Sequence, residues 1–536
     1  MKKLWIVLLS LAMVAAFCMP ASAVDVKFSG SYYIAGEYYS DLNIVDDGEY
    51  LGYNVIPVSY ALDPKTGDIT KTGGYNDEGH GTDASTAFFR QRLRVQTEFV
   101  VSPGLSLITR FDALEKIWGD QQWTGTRTPY QSRPHGSDDI RNAKEQENIE
   151  FEQVYIQYMS KVGLWWIGIA PHDFWGTTFG DSTQSEALVQ WILPINQNWI
   201  IGAKYFKHYE NSPNLFGGSR TQKWVDGTSD FSDANDVDDS AYVGVGIFKT
   251  QNIETGLKVA YRQLRQNKDG MDYGEIPPYT KIDGWLITPY FKGQFGPVNL
   301  QAELEYWNGE VELQRNPFYT NYGQLPFNLK SKRSIDMEFW SFYLDGKVDL
   351  GPAWVGGRFI YVTGDEKDQT KANSNGKFEG SDFLNNRAFE MCWGGVDLKQ
   401  TLILWNEDVT NWVGDVWNLG PGIKNAEFYQ IYGGYTWKDF TFTGALAYAK
   451  ADETWKGQDD DYGWELDVTA SYKITNNLTY MVGAGYLWTG DYFKWNNKYG
   501  KGYGLRDYGY GYSTDGKNKV DVDDIYLITN KLTLTF

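Results

Sequence analysis

The chain has 536 residues, a mass of 61.2 kDa and a formal net charge of −20, with 57 Gly, 38 Tyr, 28 Phe and 22 Trp against 2 Cys and 4 His. An aromatic content of 16% excludes intrinsic disorder, and a mean hydropathy of −0.47 excludes a helical membrane protein. The acidic balance argues against a nucleic-acid partner. What remains is one all-β structure, apolar on one face and wet on the other.

The N-terminus carries Lys2 and Lys3, then an apolar run from Leu4 to Phe17, then Ala21-Ser22-Ala23. This order reads as a secretory signal peptide over residues 1–23, cleaved after Ala23. The run is too short for a transmembrane anchor of about 20 residues. Phe17 is too bulky beside Cys18 for lipoprotein processing. Cys392 is then the one cysteine of the mature chain, 24–536, so no intramolecular disulfide is expected.

Residues of period two begin at once. Val26, Phe28, Gly30, Tyr32, Ile34 and Tyr38 alternate with Lys27, Ser29, Ser31, Tyr33, Ala35 and Glu37. Such alternation predicts a strand with one apolar face. The second strand alternates Phe89, Leu93, Val95 and Phe99 with Arg90, Arg92, Arg94 and Glu98. Later come Val298 to Tyr306 and Trp464 to Tyr472, and the last strand runs from Tyr526 to Phe536. The strands are about 10 to 14 residues long, more than a soluble sheet uses and right for tilted membrane strands.

Connections alternate between short and long. Short turns are expected at 102–104, 160–163, 194–198, 250–253, 295–297, 350–352, 437–439 and 475–477. Long loops are expected at 40–84, 118–148, 173–186, 209–240, 265–283, 309–334, 364–424, 451–462 and 490–523. Together these connections predict an all-β fold, a transmembrane antiparallel up-and-down barrel of about 18 strands, with short periplasmic turns and long extracellular loops. Closure satisfies the backbone groups that lipid cannot. Residues 385–404 could make a further strand, but nineteen would break the parity, so they are assigned to the loop. That loop, 364–424, is long enough to fold into the lumen.

With the apolar parity on lipid, the polar parity lines the interior. The expected lining comprises Arg90, Arg92, Arg94, Arg110, Glu303, Glu305, Asp336, Glu338, Arg358, Glu465 and Asp467. Strands 2 and 11 stand nine apart in a ring of eighteen. Their arginines and glutamates would set a transverse field across the pore, unless each charge only pairs with a neighbour such as Glu98 or Asp112. Tyr32, Tyr38, Tyr306, Tyr472, Tyr486 and Trp488 suit interfacial girdles. Trp118, Trp123, Trp175, Trp224, Trp393, Trp405, Trp412 and Trp417 fall in loops, where packing of a folded loop or stacking on sugar rings would use them.

No cofactor is required. The acidic loop with Asp230, Asp233, Asp236 and Asp238 is a weak candidate for Ca²⁺, since its spacing is not that of a calcium loop. His80, His135, His172 and His208 are scattered, and no catalytic or nucleotide-binding motif is present, so an enzyme is not expected.

The stretches AFFRQRLRVQTEFVVSPGLSLITRFDA, VYIQYMSKVGLWWIGIAPHDFWGTTFGD, AWVGGRFIYVTGDEKD and GWELDVTASYKITNNLTYMVGAGYLWTGDYF resemble the alginate-export-type outer-membrane barrels and related bacterial porins. The resemblance implies an 18-strand barrel and a cationic lumen, to which Arg90, Arg92, Arg94 and Arg110 would correspond. Glu303, Glu305, Asp336, Glu338, Glu465 and Asp467 depart from a uniformly cationic conduit. The first expectation is therefore an outer-membrane porin for passive diffusion of small hydrophilic solutes or ions. The alternatives are exopolysaccharide export and a structural barrel, either a sheath around a partner or a surface adhesion protein acting through its loops. Outer-membrane lipid is the expected surrounding, and a homo-oligomer is admitted.

Overall fold

The computed structural model describes residues 24–41, 59–62, 69–72, 85–118, 149–210, 238–266, 280–313, 334–364, 377–378, 398, 401–406, 422–454, 458–494 and 522–536. Eighteen antiparallel strands close into a ring. They are β1 (Asp25–Tyr39), β2 (Thr86–Ser102), β3 (Leu105–Ile117), β4 (Ile149–Ser160), β5 (Gly163–Asp173) and β6 (Ser182–Pro194). Next come β7 (Trp199–Glu210), β8 (Asp238–Lys249), β9 (Ile253–Gln266), β10 (Thr280–Phe295), β11 (Val298–Leu313) and β12 (Ser334–Leu350). The ring is completed by β13 (Ala353–Val362), β14 (Ala426–Trp437), β15 (Phe440–Ala451), β16 (Asp461–Lys473), β17 (Leu478–Thr489) and β18 (Ile525–Thr535).

Each strand pairs with its neighbours in sequence, and β18 pairs back onto β1 from Thr535 opposite Ser31 to Leu527 opposite Tyr39. Gly30 and Phe536 exchange both backbone hydrogen bonds, at 2.8 and 3.0 Å, which extends the seam by one more residue pair. Closure leaves no strand edge for lipid to meet. A two-residue strand, Lys377–Phe378, lies parallel to Asp336 and Met337 of β12, and a hairpin joins Ser59–Leu62 to Ile69–Thr72; neither belongs to the ring. The strand count and the alternation of short and long connections agree with the sequence. Of residues 385–404, only 398 and 401–404 are described, and these form turns and bends; the rest of that stretch lies outside the described residues.

Several of the short turns use left-handed backbone. Gly104 (φ 80°), Gly296 (φ 61°) and Gly351 (φ 73°) occupy such positions at no steric cost, while Lys438 (φ 54°) bears a side chain there.

Period two decides the two faces. On β16, Trp464, Leu466 and Val468 are exposed while Glu465 and Asp467 are buried. Exposed aliphatic residues recur around the outside, among them Ile156, Ile167, Ile201, Leu257, Val355, Ile431, Val482 and Ile528. Exposed rings flank them: Trp199, Phe295, Trp437 and Tyr472 toward the short turns, and Tyr242, Trp285, Trp340, Trp464 and Trp488 toward the long loops. This is the aliphatic belt between two aromatic girdles that a bilayer selects.

The inner face is less polar than alternation alone suggests. Ile108, Tyr155, Leu188, Phe206, Leu286, Trp307 and Phe339 form one buried cluster along it, and a second runs from Tyr343 through Ile360, Phe428, Tyr462 and Leu487 to Tyr39. A wholly water-lined interior is therefore corrected: much of the inner wall is packed core.

Candidate functional site

The inner faces of β1 to β4 carry a ladder of ion pairs. Arg90 donates from Nε and a terminal nitrogen to Glu37 Oε1 at 3.0 and 2.8 Å, and its other terminal nitrogen donates to Tyr33 Oη at 3.0 Å. Both members of the Arg90–Glu37 pair are buried. Arg94 grips Asp112 with two bonds of 2.7 and 2.5 Å, the bidentate geometry that a guanidinium favours. Arg92 lies 3.4 Å from Glu115 and 3.9 Å from Asp112. Arg110 reaches Glu152 at 3.5 Å. With its amide oxygen turned inward, Gln153 also accepts from both terminal nitrogens of Arg110, at 2.9 and 3.0 Å.

A bulge makes this ladder possible. Asp112 and Glu115 are three residues apart, so a regular strand would send them to opposite faces. The register slips between Gln91 and Leu93 opposite β3, and Leu114 takes a left-handed φ of 52°. Both carboxylates therefore reach Arg92.

Two segments fold into the barrel. The first, residues 174–181, follows β5 and crosses to β10, β11 and β12. Trp175 Nε1 donates to the Thr288 carbonyl at 3.1 Å, and the ring meets Tyr290 edge-on at 5.0 Å. Thr177 donates from N and Oγ1 to Glu303 Oε2 at 2.7 and 2.6 Å, and the Gly180 amide lies alongside the same carboxylate. Phe179 stacks on Tyr343 at 5.3 Å. Gly176 (φ 65°) is left-handed, and a Cβ there would sit 2.5 Å from the Glu303 carboxylate. Only glycine lets the backbone come so near.

The second segment, residues 401–406, lies against β14, β16 and β17. Leu402 and Ile403 amides donate to Glu465 Oε1 at 2.9 and 2.7 Å, and Leu404 donates to Oε2 at 2.8 Å. Leu402 also reaches Asp467 at 3.2 Å. Asn406 folds back onto the Thr401 and Leu402 carbonyls, and the Thr401 hydroxyl donates to the Leu404 carbonyl. Ile403, Leu404 and Trp405 are fully buried, with Trp405 edge-on to Phe428 and Tyr462. Burying each of these side chains is worth roughly 1.5–3 kcal/mol.

The residues expected to line the interior thus separate into groups. Arg90, Arg92, Arg94 and Arg110 share the ladder. Glu303 and Glu305 face inward on β11, and Ser341 Oγ donates to Glu305 at 3.2 Å. Arg358 pairs with Asp345 at 3.0 Å and Gln430 at 3.0 Å. Glu465 and Asp467 face inward beneath residues 402–404. Asp336 and Glu338 are corrected: they share the outward parity of Trp340 and Leu344, while Met337, Phe339 and Ser341 face inward. Glu338 accepts from Tyr306 Oη at 2.9 Å on that outer face. Near the long-loop end of β12 the polar side chains point outward and the apolar Met337 and Phe339 inward, so polarity no longer marks the inside.

Of the two neighbours proposed for the arginines, Asp112 is one, whereas Glu98 pairs with Lys27 at 3.1 Å and accepts from Ser106. Alternation did not show Glu37, Glu115 and Glu152 as partners, because register and bulges decide them. Trp175 and Trp405 pack inserted segments, and Trp118 stacks on Phe89 at 5.3 Å. Trp123, Trp224, Trp393, Trp412 and Trp417 lie outside the described residues. So do Asp230, Asp233 and Asp236, while Asp238 opens β8; among the described residues no three metal-ligating side chains converge. His172 meets Phe206 at 3.9 Å and its carbonyl accepts from Lys204.

Several solved outer-membrane proteins are similar to this chain over nearly its whole length, at low identity. OccAB1 of Acinetobacter baumannii is similar at 10% identity and a TM-score of 0.46, covering 96% of this chain and 99% of that one. The outer-membrane protein opdK from Pseudomonas aeruginosa is similar at 9% identity and a TM-score of 0.41, over 95% and 99% of the two chains. A BenF-like porin from Pseudomonas fluorescens gives 9% and 0.43 over the same shares. No protein-family model and no curated relative matches the chain.

Proposed function

We propose that the chain is an outer-membrane channel through which small hydrophilic solutes or ions diffuse passively. The observation that carries this is the closed ring with a lipid-compatible outside and a ladder of partly open ion pairs inside. Arg92 and Arg94 keep 28% and 25% of their side-chain surface exposed, whereas their partner Asp112 keeps 3%. A passing solute meets guanidinium groups whose counter-charges lie behind them. It can exchange hydrogen bonds with them stepwise without stripping a bare charge, as charged linings do in selective pores.

A polyuronate exporter of the alginate type would need a wall of uncompensated cations. Here Arg90, Arg94 and Arg110 each have a carboxylate within 3.5 Å, and Arg92 stands between two. The pairing favours small solutes of either sign or none. No group on the inner wall is assigned a catalytic role, and the channel needs no cofactor. The test is liposome swelling with a graded series of neutral sugars. A channel admits the smaller sugars and excludes the larger at a sharp cut-off. Uniform exclusion of every sugar, down to the smallest, would contradict the proposal and favour a sheath around a partner.

A further inference from the structure

The two inserted segments are fastened by the same device. In each case a carboxylate on the inner wall, with almost no exposed surface, accepts backbone amides from a segment that arrives from elsewhere in the ring. Glu303 on β11 accepts Thr177, and Glu465 on β16 accepts Leu402, Ile403 and Leu404. Their residue exposures are 1% and 0%. A buried carboxylate is costly unless it is hydrogen-bonded; at Glu465 three consecutive amides supply that compensation as a small anion-binding nest, and at Glu303 the Thr177 amide and hydroxyl supply it at Oε2. The dependence is mutual: the amides of a non-regular segment also need acceptors once buried.

The segments also meet one apolar body. Phe179 of the first and Ile403, Leu404 and Trp405 of the second belong to the same buried cluster, with Tyr343 between the walls. That cluster runs along the inner side from β12 round to β18 and ends at Tyr39 of β1, whose hydroxyl donates to Glu37 of the ion-pair ladder at 3.1 Å.

We infer that Glu303 and Glu465 are the positioning residues of the constriction: their carboxylates anchor residues 174–181 and 401–406, and so set the bore of the channel. This rests on the proposed channel function, but the anchoring itself can be read without conduction. The measurement uses the full chain with Cys392→Ser and Ile403→Cys, in variants that retain the compact electrophoretic mobility of a folded barrel. Ile403→Cys resists a water-soluble maleimide while Glu465 is present. In Glu465→Ala its labelling rises by about tenfold or more, the change in open population that loss of one charge-assisted hydrogen bond produces. Glu465→Gln retains one acceptor oxygen and gives an intermediate rate, which decides the matter if the alanine variant does not fold. Protection equal to that of the parent, in either folded variant, overturns the anchor. Where the parent conducts, Glu303→Ala and Glu465→Ala raise the unitary conductance and add flicker between levels. Unchanged conductance in both overturns the claim that they set the bore. A parent that is silent in bilayers but becomes labelled on loss of Glu465 refutes the channel and leaves the anchor standing.

Discussion

Arg90 and Arg94 stand four residues apart on one face of β2, yet they do different work. Arg90 is sealed against Glu37 and Tyr33, so it is part of the wall. Arg90→Gln should leave the Glu37 charge buried and uncompensated, a loss of about 3–5 kcal/mol. The expected outcome is a lower temperature of barrel unfolding on gels, with the reversal potential in a salt gradient unchanged. Arg94 is partly open, and its loss would leave Asp112 facing the lumen. Arg94→Gln should shift the reversal potential toward cation preference, and Asp112→Asn should shift it toward anion preference. Equal potentials in both variants would show that the pair does not face the permeation path. The arginines themselves were legible because period two places them on the side opposite Phe89, Leu93 and Val95. Their partners were not: Glu115 reaches Arg92 only through the bulge at Leu114, and regular period two carried along β3 puts Glu115 on the face opposite Asp112. Asp336 and Glu338 were misplaced for a related reason, since beyond the hydrocarbon band polar residues no longer imply the inner face.

Among elements, the strands were readable and the inserted segments were not. A strand's alternation is local, so each of β1, β2, β11 and β16 announces its own faces. The docking of Trp175-Gly176-Thr177 is set by Thr288, Tyr290 and Glu303, more than a hundred residues away in sequence. Nothing in the local pattern separates a tryptophan that packs such a segment from one that waits for a sugar. Trp175→Ala removes the bond to Thr288 and the edge contact with Tyr290, and burial on this scale is worth about 3–5 kcal/mol. Because the barrel wall is untouched, the expected result is a folded barrel with higher and noisier single-channel conductance. Conductance identical to that of the parent would show that residues 174–181 do not narrow the path. Gly176→Ala should act the same way, by pushing the segment off the Glu303 carboxylate.

At the scale of the molecule, one seam makes the chain a barrel. The β1–β18 pairing closes eighteen strands that would otherwise present two unsatisfied edges to lipid. Deleting Ile525–Phe536 should abolish the compact folded form altogether, because β17 and β1 would each be left with one unpaired edge. The outer girdles make a separate claim about the surroundings. Trp165, Trp191, Trp285, Trp340, Trp464 and Trp488 on the outer parity should be quenched by lipids brominated near the headgroup, and less by lipids brominated at the chain ends. The acidic excess noted in the composition says little about selectivity, since charges far from the narrowest point are screened within about 8–10 Å. In the proposed channel, the paired ladder and the two segments anchored at Glu303 and Glu465 decide what passes. Single-channel recording of purified residues 24–536 in a planar bilayer tests this most directly. A passive channel gives steady unitary steps with current proportional to voltage. A folded barrel that inserts and yet passes no current above that of bare lipid would contradict it.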